Sequence, residues 1–245
     1  MDRMLYVAMS GARETTLAQA TNANNLANAN TDGFQKDLDQ FRSMPVFGNG
    51  FPTRVYALSE RPQTSFARGG FNHTGRDLDI AVAGDGWIAV QAADGNEAYT
   101  RRGDLAVDAD GLLKTANGLP VIGNDGPIAL PEYEKIQIGA DGTVSVRPLG
   151  GAPNEVVVID RIKLVSPDHT ALEKGLDGLM RQKNGEPAEA DAFQRIEVGT
   201  LERSNVNGVE SMVNLIELAR RFEMQVKMMQ TAEKTDEAAL SVMKS

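Results

Sequence analysis

The 245-residue chain contains no cysteine, which excludes disulfide bonds, thiolate zinc sites and cysteine nucleophiles together. Aromatic residues make up only 5% of the chain, with a single tryptophan, so a large aromatic binding pocket is not expected. The two histidines, His73 and His169, lie far apart, and we interpret both as polar loop residues. The hydrophobic fraction of 41% is ordinary, so we expect a folded protein with a sizeable core.

Long hydrophobic runs are also missing. The apolar run from Met4 to Met9 is shorter than the ~7–15 residues of a secretory signal peptide. No segment approaches the ~18–20 apolar residues of a membrane span. We therefore expect neither a cleaved signal peptide nor membrane insertion. The net charge of −9 argues against nucleic acid and anionic membranes as partners.

Motifs of common catalytic sites are absent, including the G-x-S-x-G, H-E-x-x-H and phosphate-loop patterns. Gly84-Asp85-Gly86 is typical of a hairpin turn, because no helical pattern follows it. Asp108-Ala109-Asp110-Gly111 resembles part of an EF-hand loop, but Ala106 and Asn117 would occupy its first and last ligand positions. The sequence therefore predicts a non-enzymatic protein with no catalytic, cofactor-binding or metal-binding residues and no cofactor.

The two ends of the chain have helical periodicity. Residues 1–35 are predicted to form an N-terminal assembly helix, with a coiled-coil stripe of Met1, Leu5, Ala8, Ala12 and Thr15. An asparagine-rich stretch and Gly33 then end this helix. Residues 201–245 are predicted to form a C-terminal assembly helix, whose stripe is Met212, Leu215, Ala219, Phe222, Val226 and Met229. Both helices need a partner surface, so we expect them to pack on each other or on neighbouring subunits.

The middle of the chain has a different pattern. Residues 36–74 are predicted to be an extended connector, because proline and glycine interrupt them repeatedly. Residues 75–200 are predicted to form a central antiparallel β domain, a barrel or a sandwich, since short apolar runs alternate with Asp-Gly turns. Within it, residues 168–181 are predicted to form a short helical insertion, which Gly175 and Gly178 disfavour. The predicted fold class is α+β, with coiled-coil-forming terminal helices.

Three blocks of sequence carry recognisable motifs. The first is Asn24-Asn25-Leu26-Ala27-Asn28 with Thr31, Gly33 and Phe34; the second runs from Thr74 to Trp87 and continues at Tyr99-Thr100-Arg101-Arg102-Gly103-Asp104; the third is Ser204-Asn205-Val206-Asn207 with the helix that follows. In this order they resemble the axial proteins of the bacterial flagellum, the rod and hook family, over most of the chain. Phe222 and Gln225 depart from that family's usual Tyr and Asn.

The resemblance implies a structural subunit of the flagellar basal-body rod in the periplasm. Such subunits are exported through the flagellar type III apparatus without signal cleavage. Their terminal helices polymerise with copies of themselves and with other rod proteins, and the rod transmits torque for motility. The opening segment from Met1 to Ala12 is similar to that of proximal-rod members of the family. The alternatives are a distal-rod relative, a soluble β-domain binding module, or a secreted hydrolase using scattered carboxylates.

We predict that assembly depends on the terminal segments. The candidate residues are Leu5, Asn24, Asn25, Leu26, Asn28, Gly33, Phe34, Met212, Leu215, Ile216, Ala219, Phe222, Val226 and Met229. One hypothesis is that Asn24, Asn25 and Asn28 make inter-helix hydrogen bonds that fix register, the alternative being a solvated helix end. Phe34 and Phe222 are candidate packing anchors between subunits, or else ordinary core residues.

Overall fold

Two long helices and eighteen short strands make up the computed structural model, which describes residues 4–45, 55–59, 63–150 and 155–244. The helices are α1 (Met4–Ala27) and α2 (Gly208–Lys244). The first nine strands are β1 (Asp37–Leu38), β2 (Phe41–Pro45), β3 (Val55–Ser59), β4 (Gln63–Thr64), β5 (Phe71–His73), β6 (Ile80–Val82), β7 (Trp87–Gln91), β8 (Glu97–Thr100) and β9 (Leu105–Val107). The others are β10 (Leu113–Thr115), β11 (Tyr133–Ile138), β12 (Thr143–Pro148), β13 (Val157–Arg161), β14 (Leu164–Val165), β15 (Leu172–Lys174), β16 (Met180–Gln182), β17 (Ile196–Val198) and β18 (Thr200–Glu202). The predicted α+β class and both terminal helices are confirmed.

The chain divides into two compact units. The helical unit comprises Met1–Ala29, Lys36–Ser65 and Val206–Ser245, and the β unit comprises Asn30–Gln35 and Phe66–Asn205. In the segment predicted to be an extended connector, β1 pairs with β4 and β2 pairs with β3, both antiparallel. The helical unit therefore contains a β-hairpin as well as the two helices.

In the helical unit, α1 and α2 run antiparallel. Asn22, near the end of α1, contacts Ser211 at the start of α2, whereas Gly11 lies against Gln225 further along α2. A Cβ atom on Gly11 would lie 2.3 Å from Gln225 Oε1, so the absence of a side chain permits the close approach.

The β unit is built from antiparallel strand pairs. A five-stranded sheet has the order β14-β7-β8-β16-β15, a three-stranded sheet has the order β11-β12-β13, and β9–β10, β6–β17 and β5–β18 form separate pairs. Alternate residues of these strands point into one large core that includes Ile80, Ile88, Leu105 and Leu113. A smaller cluster surrounds Trp87, Tyr99 and Met180. These residues are almost completely buried and provide the stabilising apolar burial of the unit.

The predicted helical insertion at residues 168–181 is wrong. A single 3₁₀ turn, His169–Ala171, is followed by the β15–β16 hairpin. The hairpin turn requires Gly178 at φ +81°, a conformation that glycine adopts without strain. The leucines that suggested a helix therefore belong to a strand pair and its turn. The Asp110-Gly111 pair likewise forms the turn between β9 and β10, where Asp108 pairs with Lys114.

Candidate assembly surfaces

The α1 stripe is only partly buried. Ala8, Ala12 and Thr15 of the predicted stripe are buried, but Leu5 is exposed, and Met1 lies outside the described residues. Because the buried positions carry small side chains, α2 approaches α1 closely.

The face of α2 that is buried in the chain differs from the predicted stripe. Leu215, Ala219, Val226 and Met229 are half-buried, whereas Met212, Ile216 and Phe222 are exposed. Among the α2 side chains that the structure describes, the buried ones are the small Ser211 and Ala232. The predicted apolar spacing therefore includes residues on the edge of the α1–α2 contact.

A second apolar stripe on α2 is uncovered in the chain. We define the outer stripe as Val209, Met212, Val213 and Ile216, which recur at helical spacing and are between 52% and 74% exposed. Ser211, which lies between these residues in the sequence but is not part of the stripe, is buried and faces α1. Contiguous apolar side chains at this exposure mark an interaction surface.

The hydrogen bonds found for Asn25 and Asn28 differ from the inter-helix bonds that the register hypothesis expects. Asn25 Nδ2 donates to Asp37 O at 2.8 Å, and Asp37 N donates to Asn25 Oδ1 at 2.9 Å, so Asn25 binds the backbone after α1. Asn28 Nδ2 donates to Asn24 O within the end of the helix. An inter-helix bond within the chain comes from Asn22, whose Nδ2 donates to Ser211 O at 2.6 Å. The sequence does not single out Asn22, because the five asparagines between residues 22 and 30 look equivalent until a partner is known.

Leu26 is half-buried beside the start of α2. Its Cδ1 lies 3.9 Å from the position that a Cβ on Gly208 would occupy. Gly208 is the first residue of α2, so Leu26 packs where the two helices meet. The structure therefore brings Leu26 into contact with α2 inside one chain.

Gly33 and Phe34 bind the β unit of their own chain. Gly33 N donates to Glu202 O at 2.7 Å, and Asn205 N donates to Phe34 O at 3.2 Å. The ammonium group of Lys174 lies 4.1 Å from the centre of the Phe34 ring, a cation–π contact. Two sequence motifs about 170 residues apart are thus hydrogen-bonded to each other. Gly33 and Phe34 therefore both have partners inside their own chain.

A buried ion pair lies next to this contact. Arg101 Nη1 donates to Glu202 Oε2 at 2.9 Å, and the two side chains are 2% and 0% exposed. Arg101 Nη2 also donates to Gly84 O, and Glu202 Oε1 accepts from Gly69 N, so both charges have further partners. Arg101 stands inside one of the recognised motifs, but its partner Glu202 lies outside them. Nothing local in the sequence indicates that an arginine and a glutamate 101 positions apart will meet.

A groove of about 270 Å³ runs between α1, β1 and α2 in the helical unit. Its charged lining residues are of both signs: Lys36, Asp37, Asp39, Glu217 and Arg221. Burial raises the pKa of Asp39, against the effect of the hydrogen bond from Thr21. In the part of the chain that the structure describes, no three His, Cys, Asp or Glu side chains form a group that could hold a metal ion. None of the helices within these described residues has the length of apolar sequence that a membrane span needs.

Comparison with known proteins places the chain in a family. Profiles described as flagella basal body rod protein, flagellar hook protein FlgE/F/G D1 domain, and flagellar basal body rod FlgEFG protein C-terminal match residues 5–35, 81–146 and 197–242. The flagellar basal-body rod protein FlgF of Escherichia coli K12 is 43% identical over 239 residues, 95% of both chains. FlgF of Salmonella typhimurium is 42% identical over 96% of both chains, and the rod protein FlgG of Borreliella burgdorferi is 30% identical over 95% of this chain and 96% of its own. The chain therefore belongs to the flagellar basal-body rod protein family, in its FlgF group.

Proposed function

We propose that this chain, a structural subunit of the flagellar basal-body rod, polymerises through its terminal helices into the periplasmic proximal rod. Its partners are copies of itself and other rod proteins, and it reaches them through the flagellar export apparatus without signal cleavage. In the polymer, the terminal helices form coiled coils and transmit torque from motor to hook. This role requires no catalytic residue and no cofactor.

The observation that carries the proposal is the outer stripe of α2. Each of its apolar side chains would contribute about 1.5–3 kcal/mol if it became fully buried. Within the described part of the chain, α1 covers a different face of α2, so that stabilisation is not realised. A helix with two apolar faces is suited to pack on one partner inside the chain and on another outside it.

Similarity to FlgF proteins favours the proximal rod over the distal rod. The matches to FlgF of two enteric bacteria are 43% and 42% identical, against 30% for the FlgG protein of Borreliella burgdorferi.

The test is a deletion strain complemented with variants. We expect deletion of the gene to abolish swimming and to prevent assembly of the rod, while the inner-membrane ring still forms. Wild-type complementation should restore both, whereas Ile216→Glu, which places a charge in the outer stripe, should not. Gln230→Glu is the matched control, because Gln230 is exposed on α2 outside that stripe. Normal swimming of the deletion strain would refute the proposed function.

A further inference from the structure

Helix α1 has a third face, which is exposed in the chain. One face lies against α2, to which Asn22 is hydrogen-bonded. A second face is hydrogen-bonded to the strand segment at residues 37–39 through Thr21 and Asn25. The third carries apolar side chains that are between 42% and 63% exposed, and we define it as the α1 outer face: Leu5, Tyr6, Met9 and Leu17. Exposed apolar side chains that share one side of a helix mark an interaction surface.

The charges beside the α1 outer face and beside the outer stripe of α2 are opposite in sign. Helix α1 contains two charged residues, of which Glu14 is buried and Arg13 is exposed. Residues 209–217, which contain the outer stripe, include two acidic residues, Glu210 and Glu217, and no basic residue.

The two glutamates form an acidic rim along the outer stripe. Glu210 and Glu217 are seven residues apart, so they lie on the same side of α2. Each lies near a basic side chain of its own chain, at 3.8 and 3.7 Å, but their side chains remain 56% and 57% exposed. An arginine that approaches from outside can therefore reach both carboxylates, and complementary charge favours that approach.

The two apolar surfaces also match in length and in helix type. The α1 outer face runs from Leu5 to Leu17, about 18 Å along the helix, and the outer stripe runs from Val209 to Ile216, about 11 Å. A single α1 helix is therefore long enough to cover the whole outer stripe. Inside the chain α2 already packs on one α1, so a second α1 that reaches the outer stripe has to come from another copy.

We propose that the α1 outer face of one copy packs on the outer stripe of a second copy, with Arg13 beside the acidic rim of Glu210 and Glu217. This inference rests on the proposed function and names the partner surface that the outer stripe binds. All the residues in this contact are exposed in the single chain, so docking requires no opening of the fold. The two surfaces differ, so the contact is head to tail and propagates into a filament instead of closing into a dimer.

Photocrosslinking in assembled basal bodies tests the contact. In the complemented deletion strain, the photoreactive residue p-benzoylphenylalanine replaces Ile216 in one set of cells and Leu17 in another. Because this residue is apolar, we expect both strains to swim. Irradiation should produce covalent dimers of the chain, in which the probe at position 216 is joined to residues 5–20 of the second copy. The probe at position 17 should be joined to residues 209–217, and samples that are not irradiated are the control.

The cross-linked products separate the contact from the rod function. Products confined to the monomer, or products that join the chain only to a different rod protein, would overturn the proposal. Dimers joined through other residues would overturn it as well. None of these results affects the deletion phenotype, which tests the rod function by itself.

A second measurement covers a probe that itself prevents assembly. We expect Leu17→Glu, which places an acid against the acidic rim, to reduce swimming-halo expansion at least about fivefold. The matched control Leu17→Met keeps the face apolar and should stay within about twofold of wild type. Leu17 is 44% exposed, so far-ultraviolet circular dichroism should show wild-type helix content for both purified variants. Normal swimming of Leu17→Glu, an equal loss of swimming in Leu17→Met, or a loss of helix content in Leu17→Glu would each overturn the proposal.

Discussion

Replacement of Gly33 by alanine should destabilise the β unit strongly. Gly33 has φ +70°, which costs a residue with a side chain about 1–2 kcal/mol. The new Cβ would lie 2.4 Å from Arg102 N and 2.5 Å from the carbonyl carbon of Arg101, and backbone atoms cannot rotate away. Relief of such an overlap costs a further ~1–3 kcal/mol. We expect a loss of about 3 kcal/mol in the free energy of unfolding, with the Gly33–Glu202 hydrogen bond weakened.

The fluorescence of Trp87 measures this effect, because Trp87 is the only tryptophan and is buried in the β unit. A loss of about 3 kcal/mol corresponds to a fall of roughly 6–12 °C in the unfolding temperature for a chain of this size. The control is Gly70→Ala, since Gly70 has no atom within 4 Å of its Cβ position and no positive φ. An unfolding temperature for Gly33→Ala within about 1 °C of wild type would refute the intramolecular role of Gly33.

Three further outcomes are expected. Asn22→Ala removes the bond to Ser211 O and should lower the free energy of unfolding by about 1–3 kcal/mol, measured by far-ultraviolet circular dichroism. Arg101→Met leaves the buried Glu202 carboxylate unpaired and should cost about 3–5 kcal/mol, measured by the Trp87 transition. Burial raises the pKa of Tyr99 to about 12, so one tyrosine should ionise late in an absorbance titration. The folded pKa is above the unfolded value of 10.0, so this contribution to stability is complete below pH 10 and is lost as the pH rises towards 12.

Matched variants separate these effects from general damage. Asn28→Ala removes a more exposed amide at the same helix end and should change the free energy of unfolding by less than about 0.5 kcal/mol. The double variant Arg101→Met/Glu202→Met should be less destabilised than Arg101→Met alone, because no charge is left buried. Equal destabilisation of both would contradict the buried-charge explanation. Complete tyrosine ionisation near pH 10 with Trp87 still buried would contradict the Tyr99 assignment.

Local sequence patterns predicted the helices and turns better than they predicted which residues contact each other in the fold. The alternation of steps of three and four residues at both ends correctly predicted two long helices, since this period is a property of the helix itself. Asp110-Gly111 correctly predicted a turn, because glycine accepts the backbone conformation that it needs. The helix expected at residues 168–181 failed for the opposite reason: leucine spacing in a short segment fits a hairpin as well as a helix.

By itself, the sequence determined the helical ends, the strand-rich middle and the family, because each depends on residue types at short spacing. The absence of cysteine by itself excluded disulfide bonds and cysteine nucleophiles. Only the tertiary structure decided which face of α2 packs on α1, that Asn22 bonds to Ser211, and that Gly33 and Phe34 bind residues near Glu202. It also decided that Glu14 Oε2 is enclosed with no hydrogen-bond partner among the residues that the structure describes. These outcomes depend on the shape and charge of surfaces far apart in the chain, which no short window of sequence contains.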